Sequence, residues 1–152
     1  MGLFSFLSNQ LPIDTKLIEQ AIYHLEQHTS AELRVVVERK AKIEEMQNAA
    51  MVRANQLFDE LKMRETAQRN GVLIYLSFKP HYVAVIGDEG IHQKVGDDFW
   101  QKIYQTMCID CQNGNYTQAI CDAIKIVEEP LAHYFPYQEN DQNELSNEVL
   151  IK

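Results

Sequence analysis

Residues 72–76, Val-Leu-Ile-Tyr-Leu, form an apolar run with no alternation of polar and apolar positions. The run is far short of the ~20 residues that span a bilayer. Arg69-Asn70-Gly71 before it and Lys79-Pro80 after it punctuate it as a strand. A strand without a polar face has to be covered on both sides, so it belongs at the centre of a sheet with helices above and below. With helices on both faces, the sheet would form the middle layer of an α/β sandwich.

The flanking segments fit this demand. After Lys79-Pro80 the chain enters Tyr82-Val83-Ala84-Val85-Ile86, so the short connection makes an antiparallel hairpin. Residues 31–38 (Ala-Glu-Leu-Arg-Val-Val-Val-Glu) alternate and then turn β-branched, which marks an earlier strand. Leu17, Ile18, Ala21, Ile22 and Leu25 recur at helical spacing behind Asp14 as N-cap, giving a helix over residues 14–28. A second helix is expected over 43–63, with Met46, Ala50, Leu57 and Leu61 on its apolar face. Two more are expected over 91–107 and 117–133, divided by Asn113-Gly114-Asn115.

The resulting order is α-β-α-β-β-α-α. A right-handed crossover makes the first two strands parallel, and the third lies antiparallel beside the second. The expectation is a three-layer αβα sandwich around a small mixed sheet, Rossmann-like in outline. It divides into an N-terminal segment (1–13), an α/β domain (14–136) and an acidic tail (137–152) that contributes no obvious core and reads as extended or mobile.

At 152 residues the chain is long enough for a hydrophobic core. A net charge of -8 argues against a nucleic-acid surface and permits cations or basic partners. No transmembrane segment is expected. The greasy Met1–Leu7 stretch lacks a basic region and a cleavage site, so no signal peptide is read, and Phe6 spoils a myristoylation motif at Gly2. Three cysteines suit a reducing compartment, which together with these absences points to the cytoplasm.

The topology gathers distant residues at one sheet edge. Strands one and two begin where strand three ends, which brings Thr29, Ser30 and Glu32 toward Arg69 and Asn70 and toward the loop Gly87-Asp88-Glu89-Gly90. Carboxylates with Asn and backbone oxygens are the ligand set of Ca²⁺ or Mg²⁺, which makes Asp88, Glu32 and Glu89 the candidate metal ligands. Ser30, Arg69 and Asn70 are candidate binding neighbours, and Asp97 and Asp98 follow closely enough to add a ligand. Arg69 can pair with the carboxylates or hold a phosphate oxygen. The same loop also reads as a tight turn in which Asp88 and Glu89 cap the next helix.

Other patterns offer less. Cys108-Ile109-Asp110-Cys111 falls late in a continuous helix, where structural thiols are expected. His24 and His28 are four apart, a spacing that can chelate a transition metal, but they lie at the flank of the apolar stripe and are expected at the solvent edge. Phe99-Trp100 with Ile103 and Tyr104 reads as packing against the sheet. Nucleotide-binding glycine loops and a serine-nucleophile elbow are missing, and no catalytic residue can be named.

Several segments in order resemble the TPM-domain family: Thr29–Val37, Thr66–Tyr75, Val83–Ile91, Phe99-Trp100, Phe135-Pro136 and Asn143–Val149. The resemblance implies an α/β sandwich. Thylakoid-lumen relatives are linked to photosystem II repair and described as acid phosphatases, and some bacterial relatives are described as binding divalent cations. It singles out Asp88 in the Gly-Asp-x-Gly loop first, with Glu32, Arg69 and Asn70 as neighbours. The chain departs from many relatives in lacking a signal peptide and a membrane helix with a Gly-rich tail, and so resembles a short cytoplasmic bacterial type. Similar proteins commonly carry Phe where this chain has Cys111. Two functions follow as expectations: a non-catalytic or weakly catalytic cation-binding module serving protein partners, and, as the alternative, a metal-assisted phosphatase acting on phosphate monoesters. A third possibility is a docking domain that binds through its apolar N-terminus and acidic tail.

Overall fold

The computed structural model of the chain describes residues 11–139 and 148–152. Of the expected N-terminal segment 1–13, only Leu11–Ile13 fall among them. Within the acidic tail, residues 140–147 lie outside the described residues.

Helix α1 (Thr15–Glu26) starts where the Asp14 carboxylate accepts the N–H groups of Lys16 and Leu17, at 3.1 and 3.2 Å. Its Ile18, Ile22 and Leu25 are fully buried, each worth about 1.5–3 kcal/mol relative to exposure. Strand β1 (Leu33–Glu38) is followed by α2 (Ala49–Glu60) and a 3₁₀ turn (Met63–Glu65). Then come the hairpin β2 (Val72–Phe78) and β3 (His81–Gly87), joined through a cis Lys79-Pro80 peptide. Helices α3 (Glu89–Val95), α4 (Asp97–Gln112) and α5 (Tyr116–Tyr134) precede a short strand β4 (Val149–Ile151).

The sheet runs β3-β2-β1-β4. β1 is parallel to β2 with Leu33 opposite Val72, and β3 is antiparallel to β2 with Gly87 opposite Val72. Alternation sends Leu33, Val35, Val37, Val72, Ile74, Leu76 and Val85 to one face, against α1, α3, α4 and α5. Val36, Leu73, Tyr75 and Ala84 face the other way, onto Ala54, Leu57 and Phe58 of α2 and onto Met63. The apolar run at 72–76 is thus buried on both faces in a three-layer sandwich, as its lack of alternation requires.

Several boundaries differ from expectation. α2 begins at Ala49 rather than near 43, because Asn48 takes a left-handed conformation (φ 59°) that no helix interior admits. Met46 consequently lies exposed before the helix instead of on its apolar face. The helix expected over 91–107 is two helices, since Gly96 at φ 79° ends α3 and starts α4, and α4 runs on to Gln112. Finally, the tail is not without a structural role: Val149–Ile151 add β4 parallel to β1, with Val35 opposite Val149.

Candidate functional site at the Asp88 sheet edge

The two registers set Glu32, Gly71 and Asp88 in one row at the end of the sheet. The Val72 N–H donates to the Glu32 carbonyl and the Asp88 N–H to the Gly71 carbonyl, both at 2.9 Å. Glu32 and Asp88 are two strand spacings apart, on the order of 10 Å, and alternation directs both toward the α2 side of the sheet.

Asp88 is 2% exposed and caps α3, accepting the Glu89 N–H at 2.7 Å on Oδ1. Arg69 donates to the same carboxylate from Nε (2.9 Å to Oδ2) and Nη2 (3.1 Å to Oδ1). Arg64 Nη1 lies 3.6 Å from Oδ1, and Glu89 Oε2 lies 3.9 Å from Arg69 Nη2. The carboxylate pushes the Arg69 guanidinium further above its ordinary pKa, first through the hydrogen bonds and then through its charge.

The backbone is fitted to this arrangement. Arg69 sits at φ 52°, and its carbonyl accepts the Gly90 N–H at 2.7 Å. A Cβ on Gly90 would overlap the carbonyl oxygens of Gln68 and Arg69, so the loop packs there without a side chain. A Cβ on Gly87 would overlap the Trp100 indole, whose Nε1 donates to His92 Nδ1 at 3.1 Å. Trp100 therefore buttresses the loop from α4.

The other expected site residues divide. Glu32 and Asn70 are both buried at this edge; the Glu32 charge acts on Arg34, and the Asn70 N–H donates to Thr66 Oγ1 at 3.3 Å. Ser30 is turned to α5, where its N–H donates to the Phe135 carbonyl at 2.9 Å, and the Thr29 hydroxyl donates to Leu131 O at 2.9 Å. Asp97 pairs with His92 at 3.5 Å, and with the exposed Asp98 it occupies the first turn of α4, where the helix macrodipole favours carboxylates. In chemical terms, Asp88 and Glu89 offer oxygen donors, the type of ligand a hard divalent ion takes. Arg69 now serves as the counter-ion.

The TPM domain matches residues 5–129, most of the length of the sequence. The chain belongs to the TPM-domain family. Its fold is also similar to that of the BA42 protein from the psychrophilic bacterium Bizionia argentinensis, solved by NMR, with 35% sequence identity and a TM-score of 0.78. The similarity covers 91% of this chain and 92% of that one. No curated protein matches the sequence.

The TPM domain also holds two polar clusters that were not assembled from the sequence. On the α2 side of the sheet, Glu38 is fully buried and accepts from Tyr75 Oη (2.6 Å), Arg53 Nε (3.1 Å) and Arg53 Nη2 (2.7 Å). Burial pushes the Glu38 carboxyl up, but the hydrogen bonds from Arg53, Tyr75 and the Lys42 N–H, with the Arg53 charge, outweigh it and hold it below the ordinary value. Burial first and Glu38 second push the Tyr75 phenol up, so it remains a proton donor. The available signal was Arg53 itself, a charge on the stripe between Ala49 and Leu57. The second cluster joins His24 and His28 to Glu128 across α1 and α5.

The cysteines are free and half-buried, and burial lifts the Cys111 thiol to about 11, which leaves it a poor nucleophile at neutral pH. Among the described residues no helix is long and apolar enough to cross a membrane.

Proposed function

We propose that this TPM domain is a divalent-cation-binding module in which Ca²⁺ or Mg²⁺ exchanges for the Arg69 guanidinium on the Asp88 carboxylate, and that it serves protein partners rather than turning over a substrate. The observation that carries this reading is an asymmetry of burial. The Asp88 carboxylate is fully enclosed, whereas Arg69 and Arg64, which balance its charge, are each 43% exposed. The anion is fixed and its counter-ions can leave. Glu89, whose carboxylate also lies near Arg69, offers further oxygens, and the 35%-identical BA42 protein shares the fold.

The partner role rests on contiguity. A groove of about 750 Å³ runs along β3, lined by Met46, Met51, Tyr82, Val85, Trp100 and Tyr104. It also includes Gly87, one residue from Asp88, so ion exchange and groove shape share a backbone. Three free thiols favour a cytoplasmic setting.

The test is thermal melting in millimolar Ca²⁺ or Mg²⁺. The wild type gains melting temperature because the ion binds the folded state, and Asp88→Asn loses that gain while keeping its far-UV spectrum. No gain in wild type with either ion disposes of the reading.

One observation favours a metal-assisted phosphatase as the second reading: Arg64 and Arg69 converge on one buried carboxylate, and two guanidiniums can hold phosphate oxygens beside an ion. It requires hydrolysis of a generic phosphate monoester that disappears in Asp88→Asn and on chelation.

A further inference from the structure

The turn that ends α1 carries a second set of donors, chemically unlike the first. His24 lies in the last turn of α1, and His28 lies just beyond it. Glu128 reaches them from the neighbouring helix α5. Its Oε1 lies 3.0 Å from His24 Nδ1, and its Oε2 lies 3.7 Å from His28 Nδ1. One ring nitrogen from each histidine and one Glu128 oxygen all lie within 4.8 Å of one another.

We propose that His24, His28 and Glu128 form a transition-metal site, with Zn²⁺ as the ion, that clamps α1 to α5. Three features of the cluster carry this. The donor set, two imidazoles and one carboxylate, suits Zn²⁺ and is poor for Ca²⁺ or Mg²⁺. His28 already has one nitrogen engaged: its Nδ1 lies 2.9 Å from the His24 carbonyl, which leaves Nε2 to ligate once the ring tilts it toward Glu128. A ligating histidine is normally held in this way, through its other ring nitrogen. The charge also fits, since two neutral imidazoles around a carboxylate leave one negative charge at the C-terminal end of α1, where the helix dipole favours a cation.

Tetrahedral Zn²⁺ needs donors about 3.3 Å apart, so the cluster has to close by about 1.5 Å. The imidazoles are 66% and 49% exposed and can rotate to do so. Three protein ligands leave a fourth position for water or for a donor from another molecule. The clamp would lie beside an existing tie to α5, the bond to Leu131 O from Thr29 Oγ1 in the turn after α1. Bound Zn²⁺ therefore fixes the seam from which the chain turns into β1.

The experiment is calorimetric titration of the full chain with Zn²⁺ at neutral pH, with thiols kept reduced. The expected result is one site per chain, weakened about tenfold or more in His28→Gln and in Glu128→Gln. Affinity is unchanged in Asp88→Asn and in the Cys108→Ser/Cys111→Ser variant. Absence of Zn²⁺ binding overturns the proposal, as does binding that stays within about twofold of wild type in both ligand variants. Should a variant fold poorly, histidine ring NMR of the wild type decides: Zn²⁺ must shift the His24 and His28 signals and leave His81 and His133 in place.

Discussion

Arg69 grips Asp88 through two donors of one guanidinium, with Nε 2.9 Å from Oδ2 and Nη2 3.1 Å from Oδ1. Both carboxylate oxygens are thereby engaged, so an incoming cation competes with an intramolecular one. The outcome depends on which counter-ion the buried carboxylate holds better at a given ion concentration.

Removing the competitor separates the two contributions. Arg69→Gln lowers the melting temperature in chelator, because Asp88 loses its bidentate partner, yet it binds Ca²⁺ or Mg²⁺ more tightly than wild type. Ion titrations followed by melting temperature check this, and equal or weaker binding in the variant speaks against exchange at Asp88.

The network beneath β1 is expected to govern stability. Glu38→Ala leaves Arg53 buried without its carboxylate and costs about 3–5 kcal/mol in urea denaturation. Tyr75→Phe removes one hydrogen bond to a charged group and costs about 1.5–3 kcal/mol. Because the Glu38 pKa is lowered by folding, its contribution is present above the ordinary Glu value of about 4.3 and is lost as pH falls through the lowered one. A pH series should show the cost of Tyr75→Phe shrinking only at the acid end.

Asp110 on α4 behaves in the opposite sense. Burial, then Asp122 on α5, raise its pKa, so the folded chain keeps this proton longer than the unfolded chain does. Stability falls as pH rises from the ordinary Asp value through the raised one. Asp110→Asn is therefore more stable than wild type above that range, and the gap widens as pH rises from the ordinary Asp value through the raised one. A constant gap would show that the carboxyl pair is not titrating in that window.

Gly90→Ala drives a Cβ into two backbone carbonyls and costs about 1–3 kcal/mol, since backbone cannot turn aside as a side chain can. Its melting temperature should drop while Gly114→Ala, where a Cβ meets open space but φ is 77°, loses less.

Much of the frame could be read because its elements carry their own periodicity. The doubly buried Val72–Leu76 run fixed the centre of the sheet, the short Lys79-Pro80 connection fixed the antiparallel pair, and topology then brought Arg69 toward Asp88. What stayed hidden depended on distant partners. Val149-Leu150-Ile151 has no local pattern in a polar tail and becomes a strand only by pairing with β1. Ser30 looked like a neighbour of Asp88 until the Phe135 carbonyl at the end of α5 claimed it. Met46 mimicked a helical face with Ala50, Leu57 and Leu61, and only the left-handed Asn48 shows where the helix starts. The Gly96 break was visible as a glycine, but a single glycine in a helical pattern does not by itself end a helix.

Strand β4 also bears on self-association. β1 reads Leu-Arg-Val-Val-Val-Glu, and its flank away from β2 is closed by Val149–Ile151, with the Lys152 N–H donating to Val37 O at 2.8 Å and the Arg39 N–H to Lys152 O at 3.0 Å. Stripped of that three-residue strip, β1 would present unpaired peptide groups beside β-branched side chains, the template on which a second molecule can add a strand. β4 thus works as a seal. Detaching it would first be felt as adhesion between molecules, before any loss of the domain's own fold.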